Sequence, residues 1–559
     1  MDRARVNNVE EFLVREMNAK KVPGFSVAVI EQNNIVTSKG FGYADLEGKI
    51  PASAETVYRV ASVSKTVIAV GLLQWMERGR FRLDDPVNRL LENVQIQTKF
   101  RKQPTVRNLF SHTSGLPVHV DPVCFSLDET ISLGEMIQRS AITVMPPNQE
   151  IMYSNTAFNI IGYLVGQFAG EPYPTYMKKN LFDPLEMKTS SFEQSPEIRR
   201  SMAQPYSRNK PEDPIEKVKP WYGGSNPEKP CGSLFSSVTD LSHFLIAQIN
   251  MGLYKGERIV KDSTVREMQK LQAPAGRSRS GYALSWKHTW YYGNLLLSHT
   301  GGNLGWTAHV AFYPKLKVGI IILCNLNDNS GWRPPAREAL YLLTGGTFSF
   351  DPQGGRTKVT SQRRRKLVGT YAHEFQRTEI KLEENALVIE RGPEKAYLER
   401  LDKARYLVHG GGSDGLELTF EFDSKGTVRQ FDLDTEVFQR YAEDKRLVDT
   451  KADLRGVWRG NYVHPYGYFS MDLTIKDPNN ASATDILGNV AQIADFRSDH
   501  GRISGTTKFK IPQDYVGRGA EEFDVTLNLA CIERKLEGYM SLKSRIGESK
   551  ARLILTRVS

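Results

Sequence analysis

Cysteine is scarce in this chain: there are four in 559 residues, Cys124, Cys231, Cys324 and Cys531, and none forms a C-x-x-C. That spacing excludes a disulfide framework and a zinc ribbon. Long apolar runs are also missing. The longest, Val318 to Cys324, falls far short of the ~20 residues a membrane-spanning helix needs. The first residues, Met1-Asp2-Arg3-Ala4-Arg5, lack the apolar core of a signal peptide. As written, the chain reads as cytoplasmic; with a leader removed it would read as periplasmic or secreted. Charge of one sign is not in large excess. The 74 basic and 64 acidic residues leave +10, too thinly spread to be a nucleic-acid footprint without clustering on one face. With 40% apolar and 25% charged residues, disorder and low-complexity scaffolding are excluded as well.

What is present is length enough for about three or four domains, at roughly 100–200 residues each. Val9, Phe12, Leu13 and Met17 recur at helical spacing, with Asn8 and Glu11 placed as a helix-start box. Phe25–Ile30 reads as a buried strand, Asn33-Asn34 as its turn and Ile35–Thr37 as the return. From about residue 60 to 275 the pattern is helical and loop-rich. Strand patterns return at Ala283–Trp290, Leu295–His299, His309–Tyr313 and Val318–Cys324. Strands at both ends with a helical insertion between them predict an α/β layer fold.

Thr347 to Lys366 is polar and rich in Gly, Pro, Thr and Arg, and reads as a linker ending in the solvated basic run Arg363–Lys366. Beyond it, alternation dominates. Leu416, Leu418, Phe420 and Phe422 share one face, a turn follows at Asp423 to Gly426, and Val428, Phe431 and Leu433 resume. Phe523, Val525, Leu527 and Leu529 repeat the pattern. Leu367-Val368-Gly369-Thr370-Tyr371 is echoed by Leu454-Arg455-Gly456-Val457-Trp458. Two small antiparallel β-barrels in tandem are expected, with their boundary in the charged segment Glu443 to Asp453. The expected division is a catalytic unit over residues 1–346, a linker over 347–366, and β-units over 367–448 and 449–559.

Chemistry concentrates at Ser62-Val63-Ser64-Lys65, which opens the apolar run Thr66–Leu73. A buried helix start offers free N–H groups and partial positive charge to an alkoxide or developing oxyanion. Lys65, one turn on from Ser62 and on the same face, would have its pKa depressed there and take the serine proton. Ser64 faces away from Lys65, so Ser62 is the nucleophile candidate. Alone this is weak, because a chain of this length holds about two or three S-x-x-K matches by chance. Ser207-Arg208-Asn209-Lys210, in a proline-rich loop, is one of them. Without other support, Ser62 reads equally well as a helix cap.

Other support exists. Tyr153-Ser154-Asn155 puts a phenol that can relay a proton and an amide that can grip a carbonyl on one short loop. Tyr292-Gly293-Asn294 matches the same pattern at a hairpin turn and needs no function. Ser298-His299-Thr300-Gly301-Gly302 ends a strand, and the Gly302 N–H would complete an oxyanion hole with that of Ser62. His112, in His-Thr-Ser-Gly, imitates this motif but reads as a structural turn satisfying backbone groups, and Cys231 as a packed thiol.

Ser62-x-x-Lys65, Tyr153-x-Asn155 and His299-Thr300-Gly301, in this order, resemble the penicillin-recognising serine hydrolases: class C β-lactamases, DD-peptidases, D-aminopeptidases and related esterases. Thr105–Pro117 and Gly232–Leu241 resemble further segments of that superfamily. The resemblance covers about residues 5–345. It implies a fold with an antiparallel sheet plus a helical subdomain. It implies acylation of Ser62, with Lys65 and Tyr153 sharing the acid–base duties. Asn155 would hold the substrate's carbonyl side, and His299, Thr300 and Gly301 would line the substrate strand. A histidine offers only a hydrogen bond where many β-lactamases place a lysine, which moves the expectation toward peptidases, amidases and esterases. The β-rich tail resembles that of D-stereospecific aminopeptidases, with lipocalin-like barrels.

The expected activity is therefore a serine hydrolase acting through an acyl-enzyme on small peptides, amides or esters, D-aminopeptidase- or DD-peptidase-like. The alternative is an acyltransferase or peptide cyclase of specialised metabolism using the same acyl-Ser62. Further alternatives are an esterase, a β-lactamase, or a non-catalytic binding protein. No metal or organic cofactor is implied, because an activated serine needs none. The expected partners are a small molecule or short peptide and, through the β-barrels, a second copy of the chain; no nucleic acid and no membrane span are expected.

Overall fold

The computed structural model describes residues 2–98, 100–116, 132–143, 145–208, 213–218, 230–303, 305–328, 334–347, 361–373, 376–383, 386–392, 394–441, 453–464, 467–485, 490–499, 502–511, 521–532, 535–544 and 547–557. Nine antiparallel strands form the central sheet of the N-terminal part. They are β1 (Gly24–Glu31), β2 (Asn34–Asp45), β3 (Ile50–Pro51), β4 (Ala273–Pro274), β5 (Gly281–Tyr282), β6 (Lys287–Tyr291), β7 (Asn294–Asn303), β8 (Trp306–Tyr313) and β9 (Val318–Cys324). Their spatial order is β4-β5-β6-β7-β8-β9-β1-β2-β3. β1 pairs with β9, Val27 opposite Ile322, so the helical insertion is bracketed by strands that meet at the centre of the sheet, the layering expected from the sequence.

The continuous apolar run of β9 reflects burial on both faces. Ile321 and Leu323 enter the core shared with the helical layer, while Val318, Ile320, Ile322 and Cys324 enter the core on the other face. Full burial of each such side chain stabilises the fold by about 1.5–3 kcal/mol. The helices α1 (Arg3–Ala19), α2 (Ser64–Glu77), α3 (Asn155–Ala169), α4 (Val238–Ile249) and α5 (Ala336–Leu343) flank the sheet. α2 to α4 contribute to the first core, α1 and α5 to the second.

Some boundaries differ from expectation. α1 starts before Asn8, because the Asp2 carboxylate accepts the Ala4 N–H and caps the helix there. The strand expected over Ala283–Trp290 is confined to β6. Ala283 N–H donates to the Trp286 carbonyl and Ser285 takes a φ of +66°, which turns the chain before the strand begins. Tyr292 and Gly293, at φ +43° and +73°, form the tight turn between β6 and β7.

Eight strands from Gly369–His373 to Glu436–Tyr441 form a closed antiparallel barrel, whose first strand pairs with both the second and the last. Its interior holds Tyr371, Phe420, Phe431 and Phe438, the last two stacked at 4.6 Å. Asp423 closes the expected turn by accepting the N–H groups of Lys425 and Thr427. The second unit differs from expectation. It is a nine-stranded antiparallel sheet from Gly456–His464 to Gly547–Arg557, whose end strands Val490–Gln492 and Ala494–Asp499 pair inward and not with each other, so among the described residues it is not a closed barrel. The sequence echo has a structural counterpart. Tyr371 Oη donates to the Leu367 carbonyl at 2.8 Å, and Trp458 Nε1 to the Leu454 carbonyl at 2.7 Å.

Of the expected linker, residues 348–360 lie outside the described residues, as does most of the expected boundary at 443–453. The end of the expected linker, residues 361–366, lies in a short helix, Ser361–Leu367, because Leu367 is buried in the core the barrel shares with the sheet and anchors it. The barrel docks on the edge of the sheet beside β6. Thr289 Oγ1 donates to Asp434 at 2.8 Å, Lys287 pairs with the same carboxylate, Tyr292 N–H donates to the Gly415 carbonyl at 2.8 Å, and Arg337 donates to the Gly412 carbonyl at 3.0 Å. Among the described residues no helix is long and apolar enough to cross a membrane.

Candidate active site

Ser62 lies in a tight turn, Ala61–Val63, immediately before α2. Ala61 has a φ of +47°, a left-handed conformation that costs a residue with a Cβ about 1–2 kcal/mol. β7 packs against this turn. A Cβ on Gly301 would lie 2.1 Å from the Val60 carbonyl oxygen and 3.3 Å from the Ala61 Cβ, so only glycine admits this approach. The plain reading of Ser62 as a helix cap fails, because Val63 is the capping residue and makes no side-chain cap. Ser64 is buried and its hydroxyl is consumed by the Ala61 carbonyl and the Leu234 N–H.

The Ser62 hydroxyl instead accepts a hydrogen bond from Lys65 Nζ at 3.0 Å. Lys65 is fully buried, and its second acceptor is the Cys231 carbonyl at 2.8 Å. Burial lowers the ammonium pKa to about 8, because the charged form loses its hydration. Lys65 Nζ also lies 5.0 Å from the centre of the Tyr153 ring. That tyrosine directly precedes Ser154, which caps the first turn of α3 by accepting the Ala157 N–H at 3.0 Å. Asn155 is the first residue of the helix and half-buried.

His299 sits on β7 with its ring 6.4 Å from that of Tyr153. Its Nδ1 faces the Thr300 carbonyl at 2.7 Å. A carbonyl only accepts, so Nδ1 carries the proton and Nε2 is left as a lone-pair acceptor. That nitrogen is buried and has no hydrogen-bond partner among the described residues. Burial, with the charge of Lys65 as the next cause, lowers the imidazole pKa to about 3, so the ring is neutral. Thr300 and Gly302 follow on the same strand, opposite His309 and Thr307 of β8.

Ser62, Lys65, Tyr153, His299 and Gly301 are thus one cluster, with Asn155, Thr300 and Gly302 adjacent in the chain. Two contributions were missed from the sequence. The Cys231 carbonyl holds Lys65, a backbone role no residue type announces, although the neighbouring Gly232–Leu241 segment marked the region. His112 satisfies a backbone group as expected, since the Ser154 N–H donates to its Nδ1 at 3.0 Å, but its ring also stacks on Tyr153 at 4.3 Å. The turn residue is therefore part of the wall of the site. Tyr292-Gly293-Asn294 lies on the barrel contact, and Ser207 is in a short strand, Tyr206–Arg208.

The family model described as Beta-lactamase matches residues 9–343, and the chain belongs to that family, within the penicillin-recognising serine hydrolases. "Protein flp" of Staphylococcus aureus (strain NCTC 8325 / PS 47) is 23% identical over 334 residues, 57% of this chain and 63% of that protein, so the match spans less than two thirds of its length. Among solved structures, the octameric penicillin-binding protein homologue from Pyrococcus abyssi superposes with a TM-score of 0.53 at 24% identity, covering 78% of this chain and all of that one. The D-amino acid amidase from Ochrobactrum anthropi SV3, complexed with D-phenylalanine, gives 0.51 at 23% identity over 61% of this chain and 98% of its own.

Proposed function

We propose that this protein is a serine hydrolase that forms an acyl-enzyme at Ser62 from small peptides, amides or esters, with preference for an uncharged or amino-bearing D-residue. The observation that carries this is the 3.0 Å contact between Ser62 Oγ and a buried Lys65 whose pKa is about 8. A group poised there takes a proton at neutral pH without a large driving-force penalty. Neutral Lys65 accepts the Ser62 proton as Oγ bonds to the acyl carbon and the carbonyl electrons move to oxygen. The N–H groups of Ser62 and Gly302 hold the oxyanion. Tyr153 and Lys65 return the proton to the departing amine or alcohol as its bond to carbon breaks. Water then attacks the ester by the reverse proton path. Asn155 binds the carbonyl side of the substrate, and Thr300 and Gly301 support it along β7.

The neutral acceptor at His299 supports the substrate class. It offers no fixed positive charge to a carboxylate, and it favours a group with N–H to donate. The same reading divides the chain into a hydrolase unit over 1–346 and β-units over 367–448 and 449–559, the first of which braces the sheet edge through β6. The test is a panel of D-alanine amide, a short-chain nitrophenyl ester and nitrocefin, assayed with the wild type and with Ser62→Ala. Turnover of amide and ester by the wild type alone supports the reading. Turnover that survives in Ser62→Ala would remove it, and products of added amines would identify acyl transfer instead.

A further inference from the structure

His112 holds Tyr153 from three sides. Its carbonyl accepts the Met152 N–H at 2.7 Å, its Nδ1 accepts the Ser154 N–H at 3.0 Å, and its ring lies against the Tyr153 ring at 4.3 Å with planes 29° apart. The N–H groups of the two residues that flank the tyrosine, Met152 and Ser154, and one face of its ring are thereby held by a single residue. The opposite constraints on the imidazole come from Phe158 at 5.2 Å and the edge contact with Tyr282 at 4.8 Å.

The backbone at His112 is strained to make this arrangement. Its φ is +57°, a conformation that costs a bulky residue about 1–3 kcal/mol and persists only where the surroundings over-determine it. They do. Asn108 and Thr105 form a reciprocal cap beneath the turn, Asn108 Nδ2 donates to Thr113 at 2.9 Å and to Asn148 at 2.6 Å, and Asn148 N–H donates to the Thr113 carbonyl at 2.9 Å. The segment leading into Tyr153 is therefore tied to the 105–115 turn before His112 touches it. Because the Ser154 N–H donates to Nδ1, the imidazole carries its proton on Nε2. A doubly protonated ring would lose that bond and set a second cation near Lys65. Burial, with Lys65 next and His299 after it, keeps the ring neutral by holding its pKa well below the ordinary 6.5.

We propose that His112 is the positioning residue for Tyr153, fixing the phenol over Lys65 Nζ so that the proton shared by that pair moves along one geometry. This rests on the acyl-enzyme reading given above. His112 itself acts on neither the substrate nor the Ser62 hydroxyl. Its effect is exerted through the tyrosine, and a misplacement of about 1 Å at such a group costs a hundred-fold in rate.

The test uses the full chain and p-nitrophenyl acetate, with kcat, KM and thermal midpoint measured for His112→Phe, His112→Asn, Tyr153→Phe, the double variant His112→Phe/Tyr153→Phe, and Ser62→Ala. Phenylalanine keeps a flat ring but removes the acceptor for the Ser154 N–H. Asparagine keeps an acceptor near the Nδ1 position and tolerates positive φ, but removes the stack. The expected results are a loss of about a hundred-fold in kcat for His112→Phe with KM within about three-fold, and about ten-fold for His112→Asn. Once Tyr153 is already phenylalanine, His112→Phe costs little more, the non-additivity of two residues acting through one group. Full additivity in the double variant, or wild-type kcat in His112→Phe, would overturn the proposal. If His112→Phe does not fold, the same cycle is run with His112→Asn. Turnover in Ser62→Ala would instead overturn the acyl-enzyme reading, and wild-type rates in Tyr153→Phe the role of the tyrosine; either would carry this inference down with it.

Discussion

Lys65 Nζ stands 3.0 Å from Ser62 Oγ and 2.8 Å from the Cys231 carbonyl, in a place without solvent. The serine is served by a lysine that the fold makes a weaker base than usual and, at neutral pH, a costly charge. The pKa falls from the ordinary 10.5 to about 8. The folded chain therefore binds this proton less tightly than the unfolded chain, and the penalty is full below about pH 8 and gone by about pH 10.5. Lys65→Met should abolish turnover and raise stability at pH 7 by about 1–2 kcal/mol. That is the relieved charge penalty, at ~1.4 kcal/mol per pKa unit, less the cost of leaving the Cys231 carbonyl unbonded. Denaturant titrations at pH 7 and pH 10 check it: the gain should shrink at the higher pH, and a variant less stable than wild type at pH 7 would contradict the burial argument.

The pH dependence of the wild type follows from the same group. Neutral Lys65 is the active form, so kcat/KM should rise with pH and level off above about 8. His299, at about 3, is already neutral throughout this range and should add no limb near 6.5. Nitrophenyl ester kinetics from pH 5 to 10 decide between one inflection and two.

Gly301 is the point where β7 meets the turn that carries the nucleophile. Gly301→Ala places a methyl 2.1 Å from the Val60 carbonyl, and neither side is a flexible side chain that can retreat. The expected outcome is a loss of about a hundred-fold in kcat and about 1–3 kcal/mol of stability, read by ester kinetics and urea unfolding. Wild-type kcat would mean that the spacing of β7 from Ser62 is not what sets the rate.

The cluster was legible where chemistry forces residue types into short spacings. Ser62 and Lys65 are one helical turn apart, and the glycines of the third motif are demanded by close approach. The central sheet was legible at Val318–Cys324 because burial on both faces writes itself as an unbroken apolar run. The start of α1 was misplaced because Asp2 caps as well as Asn8 would, and only the packing of Val6 and Val9 decides between them. The late start of β6, after the turn at Ser285, depends on the carbonyl of Phe110, far away in sequence, accepting the Ser285 N–H. His112 and the Cys231 carbonyl belong to the same kind: their roles are set by tertiary neighbours. Alternation announced the strands of the second C-terminal unit but carries no information on whether its end strands meet.

The substrate preference should change sign with the third motif. The Nε2 of His299 is a neutral acceptor, whereas a lysine would present a charge to a substrate carboxylate. His299→Lys should lower kcat/KM for D-alanine amide by about ten-fold and raise it for a substrate carrying a carboxylate, such as nitrocefin. A parallel fall for both would assign His299 to the structure of β7 alone.

The barrel should matter to turnover through β6. Asp434 binds Thr289 and Lys287 together, and Lys287 pairs across the ladder with Ser298, next to His299. Removing one partner of a partly buried ion pair leaves the other without its counter-charge, which costs more than the pair was worth. Asp434→Ala should therefore destabilise the chain by about 1–3 kcal/mol. Because the strand carrying the third motif is braced by β6, it should also raise KM for the amide more than it lowers kcat. The double change Lys287→Met/Asp434→Ala removes both charges and should recover part of the stability. Equal losses in the single and double variants would show that the ion pair does not couple the barrel to the sheet edge.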